Sequence, residues 1–110
     1  MFVQTEQTPN PNTLKFIPGK KVSEIGPVEF TSQKQTDNKL IRGILSIKEV
    51  NMVFLGLDFI TVKKTNQILW EEIKIKIISL INEYYLKGST SVLDKSYINQ
   101  ESNDKKPSDE

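Results

Sequence analysis

Neither cysteine nor histidine occurs among the 110 residues. Within this sequence that excludes disulfides, thiolate nucleophiles, imidazole acid–base chemistry and the usual zinc and iron–sulfur ligands. Metal binding falls to carboxylate oxygen, a hard donor suited to calcium, magnesium or weak iron contact, and no Asp-rich loop with calcium spacing is present. Alanine is absent and Arg42 is the sole arginine, a bias associated with AT-rich bacterial genomes. An excess of one charge is also lacking. The 15 basic and 14 acidic residues are interspersed and leave a formal net charge of +1, so the electrostatic footprint of a nucleic-acid binder is missing. Long apolar runs are missing too: the most apolar helical segment is interrupted by Glu71, Glu72, Lys74 and Lys76, which leaves nothing able to span a bilayer. The first residues carry neither a signal-peptide pattern nor an Arg-rich transit pattern, so the expectation is a cytosolic chain or an already processed one.

What is present centres on residues 50–64, the clearest strand–turn–strand pattern in the chain. The segments 50–55 and 59–63 are rich in β-branched and aromatic residues, and Gly56, Leu57 and Asp58 form a short turn between them. Alternation puts Ile60 and Val62 on one face and Phe59, Thr61 and Lys63 on the other. A lone hairpin is marginal in water, so further strands and covering helices are required. Residues 2–5 and 13–17 supply two more strand candidates, the latter with Leu14 and Phe16 alternating against Thr13 and Lys15. Between them Thr8-Pro9-Asn10-Pro11-Asn12 reads as a stiff loop, because each proline fixes its own φ and the asparagines close local turns. Residues 28–31, after Gly26 and Pro27, read as a short edge strand, and 33–36 as a polar connection.

Two helices complete the pattern. One, capped by Asp37 or Asn38, runs to about Lys48 with Leu40, Ile41, Ile44 and Leu45 in a stripe; Gly43 inside it implies close packing or a tolerated weakness. The other covers 69–86, about 27 Å at the standard rise, with Trp70, Ile73, Ile77, Leu80 or Ile81 and Tyr84 on one face. Ile75, Ile78 and Tyr85 widen its apolar surface, so packing on two sides is expected. Trp70 is assigned to the core. Gly88 stands where a left-handed C-terminal cap would sit. The fold class is α+β, an antiparallel sheet of hairpins packed against two helices in two layers. Residues 1–88 form the domain and 89–110 a polar, mobile linker, in which the pairs Val92-Leu93 and Tyr97-Ile98 could dock locally.

Gly19-Lys20-Lys21 lacks the upstream glycine and the following Ser or Thr of a phosphate loop. A hydrolase is poorly served, since the adjacent carboxylates Glu71 and Glu72 point to different sides of their helix. The alternative is a stand-alone protein- or RNA-binding adaptor; for RNA it would use Phe16, Phe54 and Phe59 on a sheet face, yet arginines around them are missing.

Gln4-Thr5-Glu6, Thr8-Pro9-Asn10-Pro11-Asn12, Leu14-Lys15-Phe16 and Pro18-Gly19 together resemble the opening of the N-terminal domain of Nfu proteins, the iron–sulfur cluster scaffold and carrier family. Phe30-Thr31-Ser32, then Val53-Phe54, Gly56 and Asp58-Phe59-Ile60-Thr61-Val62, then Trp70, Lys74 and Ile77 continue the resemblance in order, across residues 2–88. Asn38-Lys39 departs from the family's usual Ser-Pro before the helix, and Asn51 from its glycine or valine. The resemblance implies a compact two-layer α/β domain and, downstream of a linker, a second domain whose Cys-x-x-Cys pairs hold a [4Fe-4S] cluster between two chains. It implies a non-catalytic interaction module that assists cluster assembly and delivery. The implied partners are the iron–sulfur assembly machinery, client apoproteins and the Cys-x-x-Cys domain, with neither nucleic acid nor membrane, in a bacterial cytoplasm or, for a processed eukaryotic protein, the mitochondrial matrix. No cofactor, catalytic residue or metal ligand is expected in this chain. The expected docking residues are Pro9, Asn10, Pro11, Asn12, Lys15 and Asp58 at loop ends, with the exposed part of the last helix next.

Overall fold

A computed structural model describes residues 3–94. In chain order the elements are β1 (Gln4–Gln7), β2 (Thr13–Ile17), β3 (Val28–Phe30), α1 (Lys39–Leu45), β4 (Val50–Leu55), β5 (Ile60–Lys64) and α2 (Trp70–Leu86), with one 3-10 turn at Gln33–Gln35. The five strands form one sheet in the order β1-β2-β5-β4-β3, antiparallel throughout. Each hairpin alone would leave an open edge; pairing β2 with β5 joins them, and β3 takes the expected edge position.

The sheet has one covered face and one open face, and strand parity decides which residues lie on each. Leu14 and Phe16 of β2, Ile60 and Val62 of β5, Val53 and Leu55 of β4 and Phe30 of β3 are buried under the helices. The helices contribute Leu40, Ile41 and Ile44 from α1 and Ile73, Ile77, Ile81 and Tyr85 from α2. Strict alternation along β4 would bury Asn51. A bulge between Val50 and Met52 resets the register, so Val50 turns inward and Asn51 lies exposed.

Several boundaries differ from those expected. β1 lies two residues later than 2–5, at Gln4–Gln7, because an edge strand gets its order from the ladder with β2 and tolerates polar side chains that disfavour strands elsewhere. The connection at 33–36 contains the 3-10 turn, with Ser32 and Gln35 as a capping box. Asn38 rather than Asp37 caps α1, accepting from Leu40 N and Ile41 N, and the helix ends at Leu45. A Cβ at Gly43 would lie 3.6–3.7 Å from the Leu80 methyls. That is ordinary contact, so packing does not demand glycine there. α2 packs on the sheet and against α1, with Tyr85 buried and Ile78 and Leu80 partly so, but its apolar surface is wider than these two contacts cover: Ile75 is 73% exposed and Leu86 75%, on the face opposite Ile73 and Ile77.

Past Gly88, Val92 and Leu93 dock locally, as expected of that pair. Gly88, at φ +101, turns the chain back over the 22–24 segment, where Val92 N and Leu93 N donate to Val22 O at 2.8 and 3.0 Å, and Glu24 N donates to Leu93 O at 2.9 Å. Val92 and Leu93 are buried and enlarge a core that would otherwise be open above Val22. Tyr97 and Ile98, like the rest of the expected linker, lie outside the described residues.

Tyr85 ties α2 to the same region by donating from its hydroxyl to Lys21 O at 2.7 Å. Burial, with Tyr84 beside it, holds the Tyr85 hydroxyl well above the usual phenol range. The native chain therefore keeps a proton that the unfolded chain gives up. The associated stability is full below about pH 10 and declines as pH rises beyond it. Tyr85→Phe is expected to flatten this alkaline decline, as read from urea midpoints taken on both sides of pH ~10; an unchanged slope would mean that other groups cause it.

Candidate functional site

The loop between β1 and β2 is stiff by construction. Its prolines limit φ, and its polar side chains hydrogen-bond within the loop: Asn10 Oδ1 accepts from Asn12 N at 2.9 Å, Thr8 Oγ1 donates to Asn10 O at 2.9 Å, and the Thr8 and Thr13 hydroxyls share a short hydrogen bond. The loop is then fastened to two other elements. Trp70, at the start of α2, donates from its indole Nε1 to Pro11 O at 3.0 Å. Lys64, at the end of β5, donates from its backbone to Asn12 O at 2.9 Å. Its Nζ donates to Asn12 Oδ1 at 3.2 Å and to Thr65 O at 3.1 Å, and lies 5.5 Å from the centroid of the Trp70 ring. The Trp70 ring meets Phe16 edge to face at 6.2 Å. Pro9, Asn10 and Pro11 remain exposed on top. The loop is thus a preorganised surface whose shape a partner need not pay to fix.

Lys15 and Asp58 do not join it. Lys15 pairs across to Thr61 on the open face. There its ammonium lies 3.7 Å from Glu6 Oε1 and 4.4 Å from the centroid of Phe59. Phe59 in turn stacks on Phe54 at 6.1 Å. The ring crosses the turn directly over Gly56, where a Cβ would come within 2.3 Å of it; glycine is what admits the ring. Asp58 lies beyond this cluster, in an open recess of about 590 Å³ lined with Lys21, Ser23, Glu24 and Leu57. The pairing of Thr13 with Lys63 and of Phe16 with Ile60 places that turn at the opposite end of β5 from the proline loop, about 15 Å away at strand spacing. The six expected docking residues therefore occupy three places: the loop, the middle of the open face and the far turn. Register between the two hairpins is set by tertiary pairing, which the local pattern does not reveal.

Two residues belong with the loop that were not expected there. Trp70 does pack against the core, but its N–H serves the loop, as a half-buried indole needs an acceptor. Lys64 follows Ile60 and Val62 at strict two-residue spacing, and that parity alone places it on the covered face. It is 6% exposed. Among the described residues no group of three or more His, Cys, Asp or Glu side chains is arranged to hold a metal ion, and no helix is long and apolar enough to cross a membrane.

The comparisons with known proteins agree with this architecture. A family model described as the N terminal of the scaffold protein Nfu/NifU matches residues 3–88. The chain is 40% identical over 95 residues to NifU-like protein 5, mitochondrial, of Arabidopsis thaliana, covering 86% of this chain and 34% of that one. It is 42% identical over 98 residues to the human NFU1 iron-sulfur cluster scaffold homolog, mitochondrial, covering 87% and 39%. It thus spans little more than a third of the length of these relatives. Among solved structures, a NifU-like protein from Saccharomyces cerevisiae superposes with a TM-score of 0.74 at 27% identity, over 86% of this chain and 85% of that one. A Staphylococcus aureus protein, SAV1430, does so at 0.63 and 27%, over 74% and 99%. With the five-stranded sheet, the two covering helices and the family match over nearly all of the described residues, the chain belongs to the Nfu/NifU N-terminal family of iron–sulfur scaffold proteins.

Proposed function

We propose that this domain is a non-catalytic interaction module of an iron–sulfur scaffold or carrier, assisting cluster assembly and delivery to apoproteins. The observation that carries the reading is the family match over residues 3–88 in a sequence that contains no cysteine. A [4Fe-4S] cluster needs four thiolate ligands, so the residues present do not fit one. The thiolates would come from a Cys-x-x-Cys domain or from a partner, and the module's part would be to hold such groups near a client. The proline loop is its best-formed docking surface: exposed, stiff and fastened to both layers. The mitochondrial designations of the relatives favour the matrix over a bacterial cytosol. The names of the relatives given above do not support the alternative of a stand-alone protein- or RNA-binding adaptor.

The test is an amide and indole spectrum of the labelled chain titrated with a Cys-x-x-Cys domain of the same family and, separately, with an apoprotein client. Shifts at Asn10, Asn12 and the Trp70 indole N–H are expected in at least one titration. Spectra unchanged by both would sink the proposal.

A further inference from the structure

Lys64 is the one buried lysine among the described residues, and no carboxylate of those residues lies within ion-pair distance of it. A buried ammonium is normally matched by an anion, because desolvation of the charge is costly. Here its neighbours are the Asn12 amide oxygen, the Thr65 carbonyl and the Trp70 ring. These are dipoles and a quadrupole, and they leave the positive charge uncompensated. The exposed surface at this end of the sheet is mixed: apolar Pro11, whose carbonyl Trp70 holds, and Leu69, 63% exposed and next to Trp70 in the chain, lie among the exposed polar side chains of Asn10, Asn66 and Gln67.

Resting on the interaction-module reading, we propose that this end of the sheet docks a protein segment carrying one acidic side chain flanked by aliphatic ones. The carboxylate would settle on Lys64 and the aliphatic groups on Trp70, Leu69 and Pro11. A charge held in low dielectric attracts an incoming anion more strongly than an exposed lysine such as Lys63 does. The surrounding charges narrow the choice further. Glu71 and Glu72 are exposed on the first turn of α2, with Glu72 accepting from Leu69 N at 3.3 Å. They repel a run of acids while leaving a single acid among apolar neighbours acceptable.

Trp70 is the only tryptophan, so its emission reports this site alone. The experiment titrates the folded chain with acetyl-Leu-Glu-Leu-amide, with its Gln twin and with sodium acetate. A saturable change with the Glu peptide is expected, with binding of the Gln twin weaker by about tenfold or more. Lys64→Met should abolish the response, Lys64→Arg should restore it, and Lys63→Met should leave it unchanged. The proposal is overturned by equal responses to the two peptides, by no response, by a response that survives Lys64→Met, or by acetate acting as well as the peptide. Should Lys64→Met fail to fold, the comparison of Glu and Gln peptides on the unaltered chain still decides. The interaction-module reading stands or falls separately, on the spectra with whole partner domains.

Discussion

Trp70→Ala is expected to lower the unfolding free energy by about 3 kcal/mol, near the low end for large aromatic truncations because the ring is only half buried. Three losses combine in it: the edge-to-face contact with Phe16, the hydrogen bond to Pro11 O and the aromatic cover over Lys64. Urea unfolding followed by far-ultraviolet circular dichroism measures the total. Trp70→Phe separates the parts in large measure, since it keeps a smaller aromatic ring near Phe16 and removes the N–H donor with part of the ring area, at a cost of about 1–2 kcal/mol. Hydrogen exchange at the Thr13 amide, which donates to Asn10 O, should quicken in both variants as the loop loosens. A loss under about 1 kcal/mol for the alanine variant would show that the ring does not hold the loop to the core.

The second large effect is expected at Asn38. Its Oδ1 caps α1 by accepting from Leu40 N and Ile41 N at 2.9 and 3.0 Å. Its Nδ2 donates to Tyr84 Oη at 3.0 Å and to Val92 O at 2.9 Å. One side chain thus serves the first helix, the second helix and the returning C-terminal segment. Asn38→Ala should cost about 2–3 kcal/mol, a cap of ~1 plus part-buried acceptors left without a donor. Asn38→Asp keeps the cap but sets a carboxylate against the Val92 carbonyl. Thermal unfolding should therefore rank the native chain above Asp and Asp above Ala, with exchange at Val92 and Leu93 quickened in both variants. If Asp matched the native chain, the two donated hydrogen bonds would be shown to carry nothing.

How far the molecule could be read in advance followed from the range of the interactions involved. β2 was legible to the residue because Leu14 and Phe16 alternate with polar neighbours, and the cap of α1 was legible as Asp37 or Asn38 because a cap is a local feature, though the choice between the two was not. The proline loop was legible as a stiff surface from its own residues. Its fastening was not, since Pro11 and Trp70 are far apart in sequence and meet only once α2 is laid across β2. Lys64 was within reach: the parity set by Ile60 and Val62 points to it, although a lysine at the end of a strand is easily read as the start of solvent-facing chain. The separation of Lys15 and Asp58 from the loop, like the bulge that turns Asn51 outward, depends on which strand lies beside which. No property of those residues alone encodes that.

The return of the chain over residues 22–24 has a mechanical meaning. Because Ser23 and Leu93 are bridged in parallel, tension applied at Asp94 along that direction loads the hydrogen bonds at Val92, Leu93 and Glu24 in shear, so that they share the force. A sideways pull peels them one at a time. The domain is thus a directional fastening: it resists a load drawn along the bridged segment at Val92 and Leu93 and yields to one drawn across it, at a rate set by the barrier to opening rather than by overall stability.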